Sequence, residues 1–220
     1  MSSQKMPGDK ITFIITSVIH FSSKKLSGST TRSVFDPAER SLQTIKTIAS
    51  IRERMPAADI ILLEMGKEKN IAEELVRMVN RYVFIGDRKW VRWAVNGKRR
   101  GLGEAMGLVA AKNELDTGAA FFFKMSGRYF LNDQFIPGLW KGDIFQAKKY
   151  EKGISTRLYG FSRVFFNDWQ KALKQSLWKL YWGSSIEDVF PRKFGRQRIQ
   201  DIKTLGLAGY VAPDGEYLEE

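Results

Sequence analysis

Residues 11–20, "ITFIITSVIH", are apolar or β-branched at nearly every position, which predicts a strand buried on both faces. Three further runs repeat that signature: "DIILLEM" (59–65), "RYVFIG" (81–86) and "AAFFFKM" (119–125). The intervals between them carry helical periodicity. In "PAERSLQTIKTIASIRERM" (37–55), Ala38, Leu42, Ile45, Ala49 and Met55 fall on one stripe. Asp36 suits the cap, Pro37 the first helical position and Glu39 a capping box, and Pro56 follows the end. "NIAEELVRMVN" (70–80) predicts a short amphipathic helix. "GLGEAMGLVAAKNEL" (101–115) predicts another, with Leu102, Met106 and Val109 inward. A basic loop bearing Trp90 and Trp93 is expected from Asp87 to Arg100. The resulting β-α-β-α-β-α-β order implies a mostly parallel sheet with right-handed crossovers.

The pattern changes after residue 125. "DIFQAKKY" (143–150) and "TRLYGFSRVFF" (156–166) alternate as mixed or antiparallel strands do. A helix "NDWQKALKQSLWKLY" follows, then "GSSIEDVFPRKFGRQRIQDIK" and a terminal strand-turn "GYVAPDGEY". No repeat or linker interrupts the chain. The reading is a single α/β domain over residues 1–220, with a ligand-binding half at 1–125 and a mixed half at 126–220 that completes the site. Ligands of open α/β sheets sit beyond the carboxyl ends of the strands. Here those ends are near His20, Gly66, Gly86 and Ser126.

Composition narrows the chemistry. At 220 residues, with 27% charged and 13% aromatic residues, the chain has the material for one packed core and not the make-up of a disordered one. The absence of cysteine excludes disulfides, thiolate metal sites and cysteine nucleophiles, and fits a reducing, cytoplasmic compartment. No apolar run reaches the length of a membrane span, and no signal-peptide pattern follows "MSSQKMPGDK". The net charge of +12 serves solubility or matches an anionic partner: nucleic acid, nucleotide diphosphate, acidic glycan or lipid head groups.

Three segments carry candidate chemistry. "KRRGLGEAMGL" (98–108) places cations and glycines at a helix start, where backbone N–H groups receive phosphate, although its spacing is neither a P-loop nor a dinucleotide fingerprint. "SGRY" (126–129) offers a hydroxyl, a glycine that allows close approach, the planar fork of Arg128 and an aromatic ring. "GSSIEDVFPRKFGRQR" (183–198) combines Glu187 and Asp188 with Arg192, Lys193, Arg196 and Arg198. Its carboxylates read as a general base or, with Ser184, as a capping box. A lone histidine, His20, cannot build a histidine-based metal site.

The order of elements and three motifs resemble a glycosyltransferase of the GT-A fold, a Rossmann-like α/β domain. The family's "N-x-G-x-[GS]-x-A" loop is similar to "NGKRRGLGEAMGL", and its "x-E-D" motif to "SIEDVF". "TTRSVFDPAERSLQTIKTIASIRE" is similar to small viral and bacterial glycosyltransferase domains, the chlorella-virus rhamnosyltransferase type among them. The Asp-x-Asp metal motif expected after the fourth strand is replaced by "KMSGRY". The resemblance implies an inverting enzyme that moves a sugar from a nucleotide-sugar donor to a glycan or lipid-linked glycan, as in polysaccharide biosynthesis, either free in the cytoplasm or peripheral to a membrane. Asp188, or in second place Glu187, would be the base. His20, Arg32, Glu64, Arg100, Gly101, Gly103, Ser126, Gly127, Arg128 and Tyr129 would bind the donor. Arg192, Lys193 and Arg196 would clamp the diphosphate. No metal ligand is assigned. Whether manganese or magnesium takes part stays open, with Asp87, Glu64 and Asp133 the carboxylates left to hold one. The competing classes are a basic nucleic-acid-binding protein, which no nucleic-acid motif supports, and a non-catalytic glycan-binding module.

Overall fold

The computed structural model describes residues 10–220 apart from 23 and 30. The amino-terminal segment read above for a leader pattern therefore lies outside the described residues up to position 9, as do two positions of the loop after the first strand. The first-half strands are β1 (Ile11–Ser17), β2 (Asp59–Glu64), β3 (Arg81–Phe84) and β4 (Phe121–Ser126). After them come β5 (Tyr129–Leu131), β6 (Phe145–Lys149), β7 (Ile154–Ser162), β8 (Ile199–Asp201), β9 (Leu207–Tyr210) and β10 (Tyr217–Glu219). Seven of them form one sheet in the order β3-β2-β1-β4-β7-β6-β8, and β10-β9-β5 form a small antiparallel sheet. In the large sheet β1 to β4 run parallel, β7 is antiparallel to both its neighbours, and β8 runs parallel to β6. Only β7 therefore opposes the common direction.

The helices are α1 (Pro37–Arg54), α2 (Glu73–Met78), α3 (Lys89–Val95), α4 (Arg100–Ala110), α5 (Lys112–Leu115), α6 (Phe166–Tyr181) and α7 (Ile186–Phe194). Strand alternation sorts the core into two layers. Ile14, Ile61, Leu63 and Phe122 face α3, α4, α6 and α7. Phe13, Ile15, Ile60, Leu62 and Phe123 face α1, Trp140 and the small sheet.

The predicted capping box holds: Asp36 accepts from the Glu39 backbone at 2.8 Å while the Glu39 carboxylate accepts from the Asp36 N–H. The predicted buried stripe of α1 holds in part: Met55 is buried and Ile45 packs half-buried against the core. Leu42 and Ala49 are exposed, and the buried face is Arg40, Thr44, Thr47, Ile48, Ser50 and Ile51. Backbone demand explains the shift, because α1 packs against the turn and strand that follow β4. Thr44 Oγ1 donates to the Gly127 carbonyl at 3.0 Å and Thr47 Oγ1 to that of Tyr129 at 2.6 Å, while Ser50 Oγ accepts from the Leu131 N–H at 2.9 Å. A hydroxyl-bearing helix face satisfies carbonyls that an aliphatic stripe would leave unpaired.

Three local expectations also change. The loop from Asp87 to Arg100 contains α3. The helix expected over 101–115 breaks at Ala111 into α4 and α5. Ser185, not Ser184, caps α7, accepting from the Glu187 N–H at 3.1 Å.

Candidate functional site

The chain moves outward from β1 through β2 to β3 and then returns to place β4 on the other flank of β1. The carboxyl ends of β1 and β4 therefore frame a topological switch point, the general location for ligands in such sheets. Two adjoining cavities open there. The narrower is lined by Thr16 and Ser17 of β1, Ser126 to Arg128 after β4, Arg40 and Thr44 of α1, and Arg100, Gly103 and Glu104 of α4. The wider is lined by Arg99 to Leu102, Tyr129, Thr156 and Arg157 of β7, and Ser184 to Glu187 at the start of α7. Arg100, Glu104 and Ser126 line both. Thr156 reaches this edge because β7 runs against the common direction, so its amino end lies beside the carboxyl end of β4.

The narrower cavity is electropositive and undercompensated. Nη1 of Arg128 is buried with no hydrogen-bond partner among the described residues. Burial, then the charge of Arg100, with Arg40 adding to it, pushes the Arg128 guanidinium down to about 9. Arg40 is pushed down to about 10, by burial and then by Arg100, although it donates to the Val18 carbonyl and sits over the Phe21 ring. Arg40 and Arg128, each disfavoured by burial and by the neighbouring Arg100 charge, are stabilised by an anion.

A buried lysine supports the floor. Lys124 of β4 has no exposed surface; its Nζ donates to the Thr156 carbonyl at 2.7 Å and to Ser126 Oγ at 3.3 Å, and it pairs with Glu104. That pair neutralises the one acidic side chain on the wall of the narrower cavity. Sequence reading overlooked Lys124, yet a lysine inside the otherwise apolar "FFFKM" was the signal for it.

Glu187 faces the wider cavity. Its carboxylate accepts from Thr156 Oγ1 at 2.9 Å and from Ser185 Oγ at 2.6 Å. Burial alone would raise this carboxyl, but hydrogen bonds from Ser185, the backbone and Thr156, together with the Arg100 charge, hold it below the ordinary glutamate range. Asp188, half-buried, lines neither cavity: it lies against Gly153, and its carbonyl accepts from Arg192.

The remaining sequence candidates fall in several places. Ser126, Gly127, Arg128 and Arg100 come together as described, and Tyr129 reaches the wider cavity with its hydroxyl accepting from Arg157 Nε at 3.2 Å. Arg32 borders the narrower cavity, but its guanidinium is spent on the carbonyls of Lys24, Val95, Asn96 and Gly97, which tie its loop to the end of α3. Gly101 and Gly103 are small for packing reasons: a Cβ would stand 3.0 Å from Ile186 Cβ at the first and 2.9 Å from Val95 Cα at the second. Glu64 is fully buried and lines neither cavity. It accepts from the Ile19 N–H at 3.0 Å and the Gly66 N–H at 2.7 Å, fixing the loops that leave β1 and β2, and burial raises its carboxyl despite those donors. His20 lies against Glu68, away from both cavities. Arg192, Lys193 and Arg196 line neither cavity; the first two occupy the far end of α7, about 7.5 Å or more along the axis from Glu187, and Arg196 lies in the turn just past it. Arg196 is used there on the carbonyls of Tyr150 and Glu151.

A divalent ion at the position of the family's metal motif would meet a hydroxyl, a glycine and a guanidinium, a poor donor set for a hard cation. Asp87 is exposed and Asp133 pairs with Arg54, and among the described residues no three His, Cys, Asp or Glu side chains gather.

No family model and no curated protein sequence matches the chain. Solved structures do. The glycosyltransferase GlyE of Streptococcus pneumoniae TIGR4 superposes with a TM-score of 0.53 at 8% identity, over 89% of this chain and 46% of that one. The mannosyltransferase PcManGT of Pyrobaculum calidifontis, solved with GDP-Man and Mn2+, gives 0.53 at 9% identity, over 90% and 55%. The 4-diphosphocytidyl-2C-methyl-D-erythritol synthase of Anaerococcus prevotii gives 0.50 at 13% identity, over 89% and 87%. The chain thus spans about half the length of these two glycosyltransferases. At such identities the likeness concerns architecture, and the chain has the α/β fold shared by GT-A glycosyltransferases and nucleotidyltransferases.

Proposed function

We propose that the protein is an inverting glycosyltransferase that moves a sugar from a nucleotide-sugar donor to a glycan or lipid-linked glycan acceptor. The observation that carries this reading is the unpartnered, buried Nη1 of Arg128 in a cavity shared with Arg40 and Arg100, at the sheet's switch point. In this assignment the narrower cavity takes the diphosphate and the wider cavity takes the acceptor. The Glu187 carboxylate removes the acceptor hydroxyl proton as that oxygen bonds to the anomeric carbon. The bond from that carbon to the diphosphate breaks, and its electron pair leaves with the phosphate oxygen. Arg128, Arg40 and Arg100 stabilise the charge that develops there, the task a Lewis-acidic ion performs elsewhere. Glu187 is preferred over Asp188 as the base because it borders the cavity and is held ionised.

The test is release of nucleoside diphosphate from a panel of nucleotide sugars with a glycan acceptor. Glu187→Gln should lower kcat by about 10²–10⁴-fold with donor affinity nearly unchanged. An indifferent Glu187→Gln beside an inactive Asp188→Asn would exchange the two roles. The same cluster also suits the triphosphate of a nucleotidyl donor, a second reading favoured by the near full-length match to the synthase. Pyrophosphate release from a nucleoside triphosphate would select that reading.

A further inference from the structure

The opening of the wider cavity adjoins an aromatic surface that the proposed chemistry does not use. Trp90 and Trp93 of α3 are 67% and 50% exposed, and Trp178, Tyr181 and Trp182 at the end of α6 are 69%, 46% and 67% exposed. They form one chain of contacts: Trp90 to Trp93 at 6.4 Å, Trp93 to Tyr181 at 5.9 Å, Tyr181 to Trp178 at 6.1 Å and Trp178 to Trp182 at 5.6 Å. Scattered apolar side chains are ordinary on a protein surface, but five touching rings are a patch. The two segments that carry them, 88–100 and 171–185, contain nine lysines and arginines and no carboxylate; of these Arg88 pairs with Glu114 and Arg100 faces the cavities, which leaves seven for the surface.

We propose that this face docks on the surface of an anionic bilayer. Tryptophan and tyrosine favour the boundary between headgroups and acyl chains, and interleaved cations draw anionic lipid. Pairing with a second copy through the same face would oppose cations to cations. Stacking on successive bases or on a sugar ring needs ring faces presented side by side to solvent. Here Trp93, Tyr181 and Trp178 stack on one another at 28° and 27°, while Trp90 and Trp182 stand at 85° and 77° to their neighbours. The cavity walls at 98–101 and 183–185 belong to or adjoin the same two segments, which places the cavity next to the docked face. Resting on the reading of that cavity as the acceptor site, this placement makes a lipid-linked acceptor the fitting substrate class.

Flotation of the full chain with vesicles tests the docking without any activity. Binding is expected to equimolar phosphatidylcholine and phosphatidylserine, not to phosphatidylcholine alone, and should weaken with salt. Trp178→Ala with Trp182→Ala, both at exposed positions, should reduce binding about tenfold or more. Lys174→Glu with Lys179→Glu should do the same, at about fivefold for each lysine lost. Emission of the wild type should shift to the blue on anionic vesicles, since Trp140 and Trp169 are buried and the other four are not. Absence of flotation, or equal flotation of the variants, overturns the proposal. So does a single-stranded oligonucleotide, or a dimer in solution, that binds through the face and is lost in the tryptophan variant. Loss of vesicle binding with transfer to a soluble acceptor intact leaves the catalytic reading standing, so the two can fail separately.

Discussion

The Thr156 hydroxyl donates to the Glu187 carboxylate at 2.9 Å, joining the one reversed strand of the large sheet to the first turn of α7. A hydrogen bond to the ionised form lowers a carboxyl's pKa, so its removal raises it. With Thr156→Val, the acid limb of the transfer rate should therefore move to higher pH, while kcat at neutral pH changes little. In the wild type the limb should lie below the ordinary glutamate value, because Glu187 is depressed in the fold. The same sign governs stability: the contribution of this carboxylate is present above its unfolded pKa and is lost as pH falls through the folded one. A pH–rate profile of both proteins checks the shift.

Lys124 and Glu104 form a second such link, under the floor of the cavities. Removing one member of a buried pair leaves the other uncompensated, at a cost of about 3–5 kcal/mol. Lys124→Met should lose that much in urea unfolding, and adding Glu104→Leu should recover part of it. A pair that merely decorated the site would show additive losses instead.

The polar face of α1 predicts a third outcome. Thr44→Val keeps the shape of the side chain but removes the donor to the Gly127 carbonyl. The expected loss is about 1–3 kcal/mol of stability, measured by denaturant titration. Anion affinity should fall with it, because Gly127 precedes Arg128 in the turn that Thr44 holds.

The layered core was legible in the chain because buried parallel strands write continuous apolar runs, and the four runs of the first half coincide with β1 to β4. The capping box was legible because its residues lie three apart on one local turn. The α1 face was not. Which side of a helix is buried depends on what it meets, and here it meets two backbone carbonyls and an N–H contributed 80 or so residues away. The glycines of 101 and 103 looked like a phosphate loop, and in space they admit Ile186 and Val95. Charge runs misled for a related reason. Arg192, Lys193 and Arg196 are close in sequence to Glu187, but α7 carries the first two to its other end and the third past it. Arg40, a single cation on a helix, joins Arg100 and Arg128 on the cavity wall, and Lys124, a single cation in an apolar strand, lies beneath it.

The account turns on Arg128, and isothermal calorimetry of nucleoside diphosphates tests it most directly. UDP, GDP and dTDP should be titrated into the wild type and into Arg128→Ala, each with and without chelator. At least one should bind saturably to the wild type, with little effect of chelator. Loss of a charge-assisted contact costs about 1.5–3 kcal/mol, so Arg128→Ala should bind that nucleotide roughly tenfold or more weakly. Equal affinity in the variant, or binding by the wild type that chelator abolishes, would contradict the assignment of the diphosphate to the arginine cavity.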